Sequence, residues 1–275
     1  MSPWRASAPF TDEWQHFDLA TADGVATLTF TRPDVLNALT FQVYADLRDL
    51  LTELPLRDDV SVLVITGTGR GFCSGGDVHE IIGALLKMES RDLLDFTRMT
   101  GAVVRAMRDC PVPIVAAING VAAGAGSVIA LAADFRLMAE EASLAFLFTK
   151  VGLAGADMGA AYLLPRLVGF GRATELLILG DTVPAARALE IGLASSVVPA
   201  AELPRAAADL ARRLAGGPAL AYGTTKMLLT RELDADLAGA LELEATAQAL
   251  LMTTRDHREF YRAFIEGRAP QWKGR

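Results

Sequence analysis

The period of apolar positions changes repeatedly along the chain, and each change marks an element. Val25–Phe30 alternates apolar residues with threonine after a turn at Asp23-Gly24, the period-two pattern of a half-buried strand. Thr40 follows Asn37-Ala38-Leu39 as an N-cap, predicting a helix to about Leu54 that Pro55 stops. Ser61–Thr66 and Ile114–Ile118 are nearly continuous apolar runs rich in β-branched residues, as expected of strands buried on both faces. Between them, Arg91–Cys110 carries Leu93, Phe96, Val103 and Met107 at helical spacing. Phe135–Met138 and Leu144–Phe146 read as short strands, Ala160–Leu167 and Arg172–Leu179 as helices. Another helix is expected from near Pro184 to Gly192, and Val197-Val198 closes the sheet-forming part. From Glu202 only helices are indicated, broken at Gly216-Gly217-Pro218 and near Asp234. The pattern predicts an α/β core over 13–200, a helical region over 201–275, and a loose Pro/Ser/Ala-rich tail over 1–12.

Two loops interrupt this pattern in the same way. Gly67 to Asp77 reads GTGRGFCSGGD and leads into a helix expected to run to about Leu86. Asn119-Gly120 ends the Ile114–Ile118 strand, and Gly124-Ala125-Gly126 opens an uncharged helix over Ser127–Ala133. A strand that turns through glycines into a helix N-terminus leaves backbone N–H groups converging on one place. Such a place binds an anion, or an oxygen that becomes one during a reaction. A phosphate loop is excluded because no Gly-Lys-Ser/Thr ends the first loop, and a dinucleotide fingerprint because its third glycine would fall at Ile129. The uncharged run from Pro111 to Ala133 is long enough to span a bilayer, but Pro111, Pro113, Asn119 and its glycines argue against a membrane helix.

Composition narrows the classes further. Hydrophobic residues make up 52% of the 275 residues, ample for a large core. A formal net charge of −7 argues against a nucleic-acid partner. Three scattered histidines and two cysteines, Cys73 and Cys110, form neither a metal-ligand cluster nor a disulfide framework, so no metal is expected and a cytoplasmic location is. No basic-then-apolar export segment opens the chain.

Five pieces, in this order, resemble the crotonase (enoyl-CoA hydratase/isomerase) superfamily. They are Arg32-Pro33 with Asn37-Ala38-Leu39, the run Gly71 to Asp77, the run Ala117 to Gly126, Asp134, and Ala263-Phe264-Ile265 through Lys273-Gly274-Arg275. The resemblance implies a spiral of stacked ββα units whose C-terminal helices assemble homotrimers or hexamers made as dimers of trimers. It implies an acyl-CoA thioester substrate with no separate cofactor, since coenzyme A is part of the substrate. Its oxyanion donors map to the N–H groups of Gly76 and Ala125. The Ser74 carbonyl and the backbone near Ala38 match the grip on adenine, with Arg32, Lys273 and Arg275 as phosphate partners. Asp77, Val78 and His79 are expected at the pocket rim.

The departures from that family pattern matter as much. The two glutamates of enoyl-CoA hydratases fall at Val128 and Phe148, and neither can move a proton. The segment from Gly152 to Gly159 resembles, with one inserted residue, the turn of dienoyl-CoA isomerases whose aspartate transfers a proton, here Asp157. Asp157 could equally cap the helix beginning near Gly159. His79 and Glu80 are further proton carriers, and Cys73 a weaker nucleophile for want of a neighbouring base. The expectation is an enzyme that stabilises a thioester enolate and relocates a proton, an isomerase or an atypical hydratase or lyase. A hydrolase acting on a thioester or C–C bond in the same site, and a non-catalytic CoA-binding homologue, stand as alternatives.

Overall fold

A computed structural model describes residues 13–274; the tail expected over 1–12, and Arg275, lie outside it. In chain order the strands are β1 (Phe17–Ala22), β2 (Val25–Phe30), β3 (Val62–Gly67), β4 (Gly71–Cys73), β5 (Ile114–Ile118), β6 (Val121–Ala123), β7 (Phe135–Ala139), β8 (Ser143–Ala145), β9 (Thr182–Pro184) and β10 (Ser196–Val198). The helices of the core are α1 (Phe41–Glu53), the single turn α2 (Gly83–Leu85), α3 (Ser90–Asp109), α4 (Ala125–Ala132), α5 (Ala160–Val168), α6 (Phe170–Leu179) and α7 (Ala185–Glu190). Then come α8 (Leu203–Ala215), α9 (Ala219–Arg231), α10 (Leu237–Met252) and α11 (Arg255–Glu266).

The strands form two sheets, one ordered β1-β2-β3-β5-β7-β10 and one ordered β4-β6-β8-β9. From β3 to β8 consecutive strands alternate between them. β3, β5 and β7 pair in parallel in the large sheet, while their successors β4, β6 and β8 pair in parallel in the small one. Each β3-β4, β5-β6 or β7-β8 pair is followed by helix, and the repeat of that unit is the ββα spiral expected from the sequence. The tight corner inside each unit has a sequence cause. Asn119, at the β5–β6 corner, accepts from Gly67 N at 3.1 Å and donates to the Gly69 and Gly71 carbonyls, both at 3.1 Å. Asn37, held at φ 59°, donates to Thr68 O and Gly71 O at 2.9 and 2.8 Å. Two asparagine amides thereby satisfy loop carbonyls that have no ladder to join.

The apolar run from Pro111 to Ala133 resolves into β5, β6 and α4 at the centre of the core, with every residue of β5 and α4 buried. No described helix is long and apolar enough to cross a membrane. Of the helices after position 200, α8 lays Leu203, Ala207, Ala211 and Leu214 against the large sheet. α9 is anchored by Lys226, whose buried ammonium meets Asp134 at 2.8 Å and Val112 O at 3.1 Å. Asp134 also accepts from Arg108 and from Ile114 N, so one carboxylate ties α3, β5 and α9 together. α10 and α11 bury only Ala247, Asp256 and Ala263.

Candidate active site

The two glycine loops lie against each other because β4 and β6, the strands that feed them, are paired neighbours. Gly75 takes φ +97°, and a Cβ there would lie 2.9 Å from Ala123 O and 3.5 Å from Ala125 N. A Cβ on Gly126 would collide with the Cys73 carbonyl. Only glycine lets these backbones approach so closely. Leu39 clamps the first loop from the other side, donating to Gly75 O and accepting from Asp77 N, both at 2.8 Å. Gly76 is held between those two bonds, while Ala125 is the first residue of α4. Among the described residues neither N–H of this pair has a hydrogen-bond partner. Two unpaired backbone N–H groups, those of the residues expected to hold an oxyanion, thus lie on adjoining loops.

The loop after Gly76 is held by Asp77. Its carboxylate accepts from His79 N and Glu80 N at 2.9 and 3.0 Å, and Arg32 meets it at 3.0 Å. These contacts, the Glu80 N–H foremost, hold its carboxyl below the usual carboxylate range. Asp77 is thus a buried cap of the Val78–Ile82 turn. Arg32, expected at a phosphate, instead points inward: it donates to the Ala38 carbonyl at 2.6 Å and pairs with Asp77, while Glu80 lies 3.6 Å away. The Ala38 carbonyl is occupied by that bond, whereas the Ser74 carbonyl accepts none of the loop hydrogen bonds. Val78, His79 and Glu80 are exposed on the outer side of the turn. Lys273 is exposed, its N–H bound to Asp256 at 2.7 Å.

Asp157 does not cap the helix that follows it. The residue at the N-cap of α5 is Gly159, with no side-chain cap bond, and the Asp157 carboxylate takes only the N–H of its neighbour Met158, at 2.8 Å. An N-cap would reach two or three residues on. The reason is local: Met158 and Gly159 both take positive φ, 51° and 89°, which turns the chain away before α5 begins. Burial pushes the Asp157 carboxyl up, against a smaller downward pull from the Met158 N–H. Burial, with smaller contributions from Cys73 and Asp157, pushes the Tyr44 phenol up, and the Tyr44 hydroxyl lies 3.8 Å from where a Gly76 Cβ would be. Asp157 is thus half-buried, with the Met158 N–H its one side-chain hydrogen bond among the described residues. Val128 and Phe148, at the hydratase glutamate positions, are both buried. Burial raises the Cys73 thiol to about 12, which removes it as a nucleophile. The described residues hold no cluster of metal-ligating side chains.

Residues 20–275 match the family model described as enoyl-CoA hydratase/isomerase. The chain belongs to that family. This enoyl-CoA hydratase/isomerase family enzyme is 36% identical over 253 residues to the 1,2-epoxyphenylacetyl-CoA isomerase of Escherichia coli (strain K12), covering 92% of this chain and 96% of the relative. It is 31% identical to the trans-2-decenoyl-[acyl-carrier-protein] isomerase of Streptococcus mutans, with the same two coverages of 92% and 96%. A crystal structure from Streptomyces coelicolor A3(2), provisionally named an enoyl-CoA hydratase, is 62% identical and superposes over the full length of both chains with a TM-score of 0.97. The enoyl-CoA hydratase of Bacillus anthracis, 32% identical, superposes with a TM-score of 0.89 over 95% of this chain and 100% of the other. The family acts on acyl-CoA thioesters, and the expected fold is the one found.

Sequence reasoning passed over Tyr44. It sits in the apolar stripe of α1 with Val43, Leu47, Leu50 and Leu51, where a tyrosine reads as core. The usable signal was its hydroxyl, which a buried tyrosine normally pairs.

Proposed function

We propose that this enzyme isomerises the double bond of an acyl-CoA, with the N–H groups of Gly76 and Ala125 holding the thioester oxygen and Asp157 carrying the proton. The carboxylate of Asp157 takes a proton from C2 of a 3-enoyl thioester. The electron pair moves into a dienolate whose oxygen the two donors stabilise, each typically worth about 3–4 kcal/mol in the transition state. Asp157 then returns the proton at C4, leaving the 2-enoyl thioester with no atom gained or lost. One observation supports this reading above the others: both glutamate positions of a hydratase are apolar, while the half-buried Asp157 carboxyl is pushed up by burial. Water addition as a hydratase performs it needs a pair of carboxylates to orient and deprotonate the water, and Val128 and Phe148 supply neither. Two names among the relatives, both isomerases, agree with it. We place the active form in a trimer or a hexamer, and the two buried free thiols suit a reducing cytoplasm.

The test is a product assay. With 3-hexenoyl-CoA the enzyme should yield 2-hexenoyl-CoA, while crotonyl-CoA should be hydrated slower by about 10² to 10⁴, the usual worth of an acid–base group. Rapid hydration of crotonyl-CoA would overturn the isomerase assignment.

A further inference from the structure

Tyr44 is a buried polar group beside the first glycine loop that the proton transfer above does not use. Its side chain is 3% exposed and its ring packs edge-on to Phe96 of α3, with centroids 6.0 Å apart. A Cβ built on Gly76 would lie 3.8 Å from the Tyr44 hydroxyl and 3.9 Å from Ile81. The phenol oxygen is thus within a side chain's width of the residue offering one oxyanion donor. Burial, then the nearby Cys73 and Asp157, push its ionisation far above neutral pH, so it acts there only as a protonated hydroxyl. That hydroxyl has no hydrogen-bond partner among the described residues. A buried hydroxyl left unpaired is costly, and the residue it approaches is the one proposed to hold the thioester oxygen.

Taking the site to be an acyl-CoA pocket as above, we propose that Tyr44 is a specificity-determining hydrogen-bond donor that selects acyl groups bearing an oxygen acceptor one or two carbons beyond the thioester carbonyl. A plain alkyl chain would displace water from the hydroxyl and offer nothing in return. An oxo, hydroxy or ring oxygen at that position would pair it. Sites built to bond a substrate's polar group discriminate strongly against the analogue lacking it, because their own group is then stranded.

The probes are acetoacetyl-CoA and butyryl-CoA, equal in length and differing in the oxygen at C3, titrated calorimetrically against the intact enzyme. The wild type should bind acetoacetyl-CoA at least about tenfold tighter, the worth of one ordinary hydrogen bond. Tyr44→Phe should bring the ratio of the two affinities close to one, whereas Asp157→Asn should keep it. Removing an unpaired hydroxyl should leave the melting temperature of the Phe variant at or above that of the wild type. Equal affinities in the wild type, a ratio unchanged in the Phe variant, or a ratio lost in the Asn variant instead would overturn the role of Tyr44 and leave the acyl-CoA reading standing. A lower melting temperature would do the same, by showing that the hydroxyl has an internal partner. Failure of the wild type to bind either thioester would overturn the acyl-CoA reading itself, and this assignment with it.

Discussion

At the scale of single residues, Asp157 must be ionised to accept a proton yet sits where ionisation is disfavoured. Burial raises its pKa, with the Met158 N–H opposing more weakly. A folded-state value above the unfolded one means that the protonated form favours folding. That contribution is complete below the ordinary carboxylate pKa of about 3.9 and is lost as pH rises through the raised value. At neutral pH the ionised group therefore costs stability. Asp157→Asn should melt at or above the wild type at pH 7, with that advantage shrinking towards pH 4. The same variant should turn over substrate at least about a hundredfold more slowly, because an amide takes no proton. The acid limb of the wild-type pH–rate profile should lie above the ordinary aspartate range. A variant with wild-type turnover would shift the proton transfer elsewhere. The sequence marked Asp157 as the lone carboxylate of an apolar turn but left cap and base open. What decided against the cap was the positive φ of Met158 and Gly159, and nothing in the residue type at 158 announces that. Arg32 shows the opposite limit. A cation near a glycine loop reads as a phosphate partner, and only three dimensions reveal that Asp77 and the Ala38 carbonyl already hold it.

Among elements, the two glycine loops were legible because their backbones meet. Gly75 and Gly126 are where a side chain would strike the opposing strand, so the sequence had to write glycine there. The long elements were legible from period alone: α1, α3, β3 and β5 lie within two residues of where the pattern puts them. Strands β4, β6 and β9 have three residues each and lie inside a glycine loop or end on Pro184, which hides them, whereas the equally short β8 and β10 show as apolar pairs. β4, β6 and β9 exist because they pair with one another or with β8 in the small sheet, β4 with β6, β6 with β8 and β8 with β9. Ala125 offers a clean test at this scale. As the first residue of α4 it occupies the helical position where proline fits best, so Ala125→Pro deletes the proposed donor with little demand on the helix. Circular dichroism should match the wild type while turnover falls at least about a hundredfold. A folded variant with full activity would remove Ala125 from the site.

At the scale of the whole molecule, the chain divides by where its apolar surface goes. Through α9 the helices pack against the sheets, against α3 or, for α5 and α6, against each other, with α5 also on α4. Beyond α9, α10 and α11 leave Leu237 at 76%, Leu250 at 65%, Phe264 at 73% and Ile265 at 66% exposure, with Leu241, Phe260 and Tyr261 also uncovered. Helix propensity alone does not explain such residues on a solvated surface. Contiguous apolar surface of this kind marks a place where another chain packs. The chain offers few internal contacts to hold the arm: α10 meets α9 and α11, and Asp256 grips the N–H groups of Lys273 and Gly274 at 2.7 and 2.9 Å. A second copy of this chain is the simplest cover, since closed assemblies reuse one patch on every subunit. Light scattering at micromolar concentration should return the mass of three or six chains. Placing charges in the patch with Leu250→Glu and Phe264→Glu should shift the mass to a monomer while leaving the spiral core folded by circular dichroism, because neither side chain is buried in the isolated chain. A wild type that scatters as a clean monomer would sink the assembly, and the exposed arm would then need a partner other than itself.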